Sequence, residues 1–203
     1  MSKFETVIFD LGGVLVDWNP DYLYKPIFND DERMNAFYAH ICTPNWNEQR
    51  DEGRTLKKAT EELVARFPHE EENIRLYYDR WEDMLKGPVE GTVEVFRKLK
   101  MKGEAKLYAL TNWSAETFPV ALNRFDFLHW FDGRLVSGEE KMRKPFRPIY
   151  ETIIKKFHIN PDTAIYIDDN ARNLTVPKEM GIHAIHFTSP EALEEELKSL
   201  GVL

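Results

Sequence analysis

The chain has 203 residues, 42% of them hydrophobic and 13% aromatic, enough apolar content for one large domain or a core with a modest insertion and too much for a disordered chain. Its 27 Lys and Arg against 35 Asp and Glu leave a formal net charge of −8. That balance repels nucleic acid phosphates and anionic membrane surfaces and favours small ligands or metal cations as partners. The single cysteine, Cys42, rules out an internal disulfide. With no apolar run of spanning length and no h-region after Met1, it points to a reducing, cytoplasmic setting.

In chain order, the first element is a strand over Thr6 to Phe9, a short β-branched and aromatic run. From there to Pro88 no convincing strand follows, but helical patterns recur around Asp31 to Ile41, Thr55 to Phe67 and Glu70 to Leu85, so the stretch reads as a helical insertion. In the last of these, Ile74, Tyr77, Tyr78 and Trp81 return at three- and four-residue spacing, the stripe of a packed helix. A helix from Pro88 to about Lys100 comes next, with Pro88 in its first turn, Val89, Val93, Phe96 and Leu99 on one side and Gly103 past its end. Strands over Ala105 to Leu110, Gly133 to Val136, Thr163 to Ile167 and His183 to Phe187 complete the pattern, with a helix after Lys144-Pro145 that turns Ile149, Tyr150, Ile153 and Ile154 inward. Strands alternating with helices predict an α/β fold with a parallel sheet. His183 and His186 lie three apart on a strand, hence on opposite faces, and make no zinc pair.

Four polar stations stand at strand ends or helix starts. Asp10 closes the first strand and is followed at once by Gly12 and Gly13, which let a substrate approach the backbone closely. Thr111 and Asn112 close another strand just before a helical pattern around Ser114 to Glu116; the hydroxyl and free N–H groups there suit either an anion site or a plain helix cap. Lys144 is placed to set a point charge on a phosphoryl or carboxylate oxygen, although Lys141, Arg143 and Arg147 around it also fit an ordinary basic surface. Asp168 and Asp169 end an apolar strand, where charge is costly unless paired or metal-bound. Brought to one sheet edge, these residues supply a nucleophile, a phosphate cradle, a charge clamp and a Mg2+ site, the parts of phosphoryl transfer through an aspartyl-phosphate.

Phe9-Asp10-Leu11-Gly12-Gly13-Val14, Leu110-Thr111-Asn112, Lys144-Pro145 and Ile167-Asp168-Asp169 resemble, in order, the four motifs of haloacid dehalogenase superfamily hydrolases. The resemblance implies a Rossmann-like core with helices on both faces, formed by residues 1–16 and 88–203, with a small helical cap from 17 to 87. The branch it most resembles contains sugar-1-phosphate phosphatases. It further implies that Asp10 attacks phosphorus, that Lys144 clamps charge, that Asp10, the Gly12 carbonyl and Asp169 hold Mg2+, and that Asp168 assists through water or from farther out. Superfamily phosphatases usually carry a second Asp, the general acid and base, where this chain has Gly12. Glu48 or water is then a stand-in, and good leaving groups are favoured. The alternatives are a metal-independent 2-haloacid dehalogenase, disfavoured by the unneutralised Asp168-Asp169 pair, and a catalytically weak phospho-ligand binder. Substrate contacts are expected from the cap stretch Asn45 to Arg50, Trp46 and Arg50 above all, with hinges near Asp17 to Pro20 and Gly87 to Pro88.

Overall fold

A computed structural model describes residues 3–50 and 54–203. Five strands, β1 (Thr6–Phe9), β4 (Lys106–Thr111), β5 (Gly133–Val136), β6 (Ala164–Asp168) and β7 (His183–His186), form one sheet in the order β5-β4-β1-β6-β7, with every pair parallel. β2 (Val16–Trp18) and β3 (Leu85–Pro88) make a separate antiparallel ribbon. The sheet is the Rossmann-like α/β arrangement that the alternating pattern anticipates.

Its two faces follow from the two-residue period of the strands. Val7, Phe9, Leu107, Ala109, Ile165 and Ile167 point to one side and pack with Val95, Phe96 and Leu99 of helix Glu90–Lys102 and with Leu193 and Leu197 of helix Pro190–Ser199. Ile8, Tyr108, Leu110 and Tyr166 point to the other, against Ile149, Tyr150 and Ile153 of helix Arg147–Phe157. Gly103, at φ 68°, ends helix Glu90–Lys102 in the left-handed conformation that glycine adopts without a Cβ clash.

The insertion differs from its sequence pattern in three places. Two short helices not evident in the sequence, Asp21–Phe28 and Pro44–Arg50, join Asp31–His40, Leu56–Arg66 and Glu71–Asp79. The expected helix over Glu70 to Leu85 breaks at Arg80, gives way to a 3₁₀ turn over Trp81–Met84 and runs into β3. The two segments expected as hinges pair with each other in the ribbon, which the sequence did not show: Asp17 lies opposite Gly87 and Val16 opposite Pro88. Outgoing and returning chain are pinned further by Val89 N–H to Leu15 O and Asn19 N–H to Met84 O, both 2.9 Å. Among the described residues no helix is long and apolar enough to cross a membrane.

Candidate active site

Register brings the stations together. Phe9 is level with Ala109 on one side and Ile167 on the other. Asp10 and Asp168 therefore leave adjacent strands at the same height, with Thr111 one residue beyond that level on β4. This is the carboxyl edge of a parallel sheet, where open α/β folds bind ligands. Asp10 stays in register through its N–H to Ile167 O, 2.8 Å, and the Leu11 N–H donates to its Oδ1 at 2.7 Å.

Lys144 reaches into this edge and is 1% exposed. Its Nζ lies 2.8 Å from Asp10 Oδ1 and 2.7 Å from Asp168 Oδ2. Asp168 has further donors: the Tyr166 hydroxyl to Oδ2, the Asn170 N–H to Oδ1 at 2.9 Å, and the Asn173 amide at 3.0 and 3.1 Å to the two oxygens. Tyr150 in turn donates to the Asn173 carbonyl at 2.9 Å. Asp168 is thus saturated and anchors Lys144. Tyr166 was within reach of the sequence, because residues two apart on a strand share a face.

Charge distributes unevenly over this network. Burial opposes ionisation of Asp10, Lys144 recovers only part of that because it is shared, and the carboxyl is pushed up to about 7. Burial works against Asp168 as well, but Lys144, the Tyr166 hydroxyl and the Asn170 N–H together hold it below the ordinary carboxylate range. Burial likewise disfavours the Lys144 charge, yet the two carboxylates prevail and raise it. Asp169, on the exposed side, is raised by burial of its carboxyl and by the neighbouring charge of Asp168.

Oxygens of Asp10, Asp168 and Asp169 lie within 4.8 Å of one another. Three carboxylates facing one ammonium leave excess negative charge, and an all-oxygen donor set suits a hard cation such as Mg2+. Gly13, at φ 76°, is the cradle for this group: a Cβ there would collide with the Asp169 carboxylate. Asp168 is already engaged by Lys144, Tyr166, Asn170 and Asn173, so Asp10 and Asp169 are the freer carboxylates of this group.

The remaining expected site residues divide. Thr111 is buried at the β4 end, 1% exposed. Asn112 does not present its amide to the edge: its Oδ1 accepts from the Lys144 N–H at 2.9 Å and its Nδ2 donates to the Lys144 carbonyl at 3.1 Å, so it positions Lys144. The helix expected around Ser114 to Glu116 starts later, at Phe118. Trp46 is a correction: its indole N–H donates to Ala59 O at 3.1 Å and its ring stacks on Tyr78 and meets Tyr77 edge-on, inside the cap core. The side chain of Arg50, the other cap residue expected to meet substrate, lies outside what the structure describes. Glu48 is no free proton donor, since Arg143 and Arg172 take its two oxygens. A Cβ built on Gly12 would meet nothing within 4 Å, so the position has room for the first atom of a side chain.

Two cap contacts escaped the sequence. Glu116 Oε1 accepts from the Leu56 N–H at 2.8 Å, at the start of cap helix Leu56–Arg66, and Trp81 meets Trp113 edge-on with centroids 5.5 Å apart. Neither pairing leaves a local signal. His183 and His186 part company as their spacing requires, one beside Glu196 and the other on the Asp169 carbonyl at 2.9 Å.

The parallel α/β core carries Asp10, Lys144 and the Asp168-Asp169 pair together at its carboxyl edge, the frame of a hydrolase of the α/β class. The family model of haloacid dehalogenase-like hydrolases matches residues 7–187, and the chain belongs to that family. It is similar to the sesquiterpene phosphatase astK of Aspergillus oryzae, 27% identical over 200 residues, or 98% of this chain and 97% of the relative. It is also similar to the phosphorylated carbohydrates phosphatase of Thermotoga maritima, 24% identical over 194 residues, 90% and 84% of the two chains. Among solved structures, the HAD family enzyme bt-2542 of Bacteroides thetaiotaomicron, crystallised with magnesium and inorganic phosphate, shares the fold at a TM-score of 0.66 and 21% identity, covering 92% of this chain and 95% of that one.

Proposed function

We propose that the chain is a Mg2+-dependent phosphatase that hydrolyses a small phosphorylated metabolite through an aspartyl-phosphate, an acyl phosphate, on Asp10. The observation that carries this is Lys144 held between Asp10 and Asp168 with Asp169 seated against Gly13. An Asp10 oxygen bonds to phosphorus as the bond to the leaving oxygen breaks. That oxygen takes its proton from water, since Gly12 offers none. A second water then attacks phosphorus and gives up a proton to solvent, the bond from phosphorus to the Asp10 oxygen breaks to return the carboxylate, and inorganic phosphate leaves. Lys144 keeps Asp10 aimed and offsets charge on the phosphoryl oxygens, while Thr111 lies where a phosphate oxygen would be cradled. Mg2+, when bound by Asp10, Asp169 and the Gly12 carbonyl, would neutralise the phosphoryl charge. The magnesium and phosphate in the Bacteroides enzyme support this reading. So does the excess of carboxylates, which argues against a metal-free dehalogenase.

The Thermotoga relative favours a sugar phosphate. The Aspergillus relative favours an ester with an apolar tail. A panel of sugar phosphates, sesquiterpenyl monophosphates and 2-haloacids, assayed with and without Mg2+, decides among them. Mg2+-dependent phosphate release is expected, falling more than about a thousandfold in Asp10→Asn. Halide release without metal, binding without turnover, or turnover that survives the mutation overturns the reading.

A further inference from the structure

The Glu48 carboxylate lies where three segments meet: its own cap helix Pro44–Arg50, the loop that delivers Lys144, and the loop that follows Asp168 and Asp169. Its Oε2 accepts from Arg143 Nη1 at 2.7 Å, and its Oε1 accepts from Arg172 Nη2. Each arginine sits one residue from a group that fixes the catalytic network, Arg143 before Lys144 and Arg172 before Asn173. Arg143 is also steadied from below, its guanidinium 4.8 Å from the centre of the Phe146 ring. Phe146 itself is 52% exposed beside the Lys144-Pro145 turn.

Two guanidinium groups converging on one carboxylate form a recognition geometry for carboxylates and phosphoryl groups alike. Both arginines come from the core, in a chain of net charge −8. Only the carboxylate comes from the cap. Taking Asp10 as the phosphoryl-accepting site, on which this inference rests, we propose that Arg143 and Arg172 form a second anion subsite that Glu48 occupies in the absence of substrate. The enzyme then selects phosphate esters that carry another anionic group, a carboxylate or a second phosphoryl, which displaces Glu48 and takes its place between the arginines.

The test compares propylphosphonate with 3-phosphonopropionate, which differs by the terminal carboxylate, by titration calorimetry in Mg2+ against wild type, Glu48→Gln and Arg172→Gln. The added carboxylate is expected to tighten binding about tenfold in wild type, the scale of one charge-assisted contact. Glu48→Gln should widen that ratio severalfold by removing the internal competitor, and Arg172→Gln, a half-exposed position, should bring it close to one. A 1,3-propylenebisphosphonate arm shows whether the second group is better a phosphoryl than a carboxylate. Both phosphonates binding with equal affinity, a ratio that survives Arg172→Gln, or a ratio that Glu48→Gln leaves unmoved, overturns the subsite alone. Failure of propylphosphonate to bind any variant overturns the Asp10 reading and the subsite with it.

Discussion

Gly12 concentrates the catalytic question in one residue. The open space around its missing Cβ means that a side chain can be added there without displacing a neighbour. Gly12→Asp should therefore fold and raise kcat for alkyl phosphates, whose leaving oxygens need a proton, by about a hundredfold, at the low end of what general acid catalysis contributes. Aryl phosphates with acidic leaving groups should gain far less, so the measurement is kcat against leaving-group pKa for both proteins. Parallel lines for the two would remove the missing-acid account. At this same scale, Asp10 and Asp168 were legible because each ends an apolar run, and Lys144 because it stands before Pro145 at the start of a helical pattern. Trp46 was not, because a tryptophan among Asn, Glu and Gln looks exposed until Tyr77 and Tyr78 arrive from a distant helix to cover it. The Glu48 partners were hidden in the same way, 95 and 124 residues along the chain.

At the scale of elements, the five strands and helix Glu90–Lys102 could be read to within a residue or two, since a core sheet needs apolar runs and leaves them in the sequence, whereas helix Pro190–Ser199 was not bounded. β2 and β3 could not, because a three-residue Val-Asp-Trp run and a Leu-Lys-Gly-Pro run are too short to establish a period and gain their structure only by pairing across the whole insertion. The cap is tied to the core by that ribbon, by Trp81 on Trp113 and by Glu116 at the start of helix Leu56–Arg66. A carboxylate accepting from a helix N-terminal amide stabilises that end electrostatically as well as by the hydrogen bond. Glu116→Ala is expected to cost about 0.5–1 kcal/mol, felt locally: amide exchange at Leu56 to Thr60 should accelerate by mass spectrometry while exchange in β1 and β6 stays as it was. Uniform acceleration across the sheet would show that Glu116 supports the global fold instead.

For the whole molecule, the excess of carboxylates ties stability to pH and to metal. Asp10 is raised in the folded state, so the fold binds more protons than the unfolded chain between the ordinary aspartate range and about 7. Its contribution is complete below that range and is lost as pH rises through about 7. Asp168, held low, acts oppositely, and its contribution is lost only when pH falls below the usual carboxylate range. In EDTA, the melting temperature should therefore decline from pH 5 to pH 8, and Asp10→Asn should flatten that decline. Mg2+ should raise the wild-type melting temperature at pH 8 with the logarithm of its free concentration above Kd, as a ligand of the native state alone does. A pH profile unchanged by the mutation would separate Asp10 from this effect.

The reciprocal hydrogen bonds between the Asn112 side chain and the Lys144 main chain have a further result. They fasten the backbone end of the lysine to the tip of β4, while Asp10 and Asp168 fasten its ammonium. The four methylenes between act as a ruler of set length, and a cation on a stem of any other length, ornithine-like or arginine, would arrive at the wrong height above the sheet.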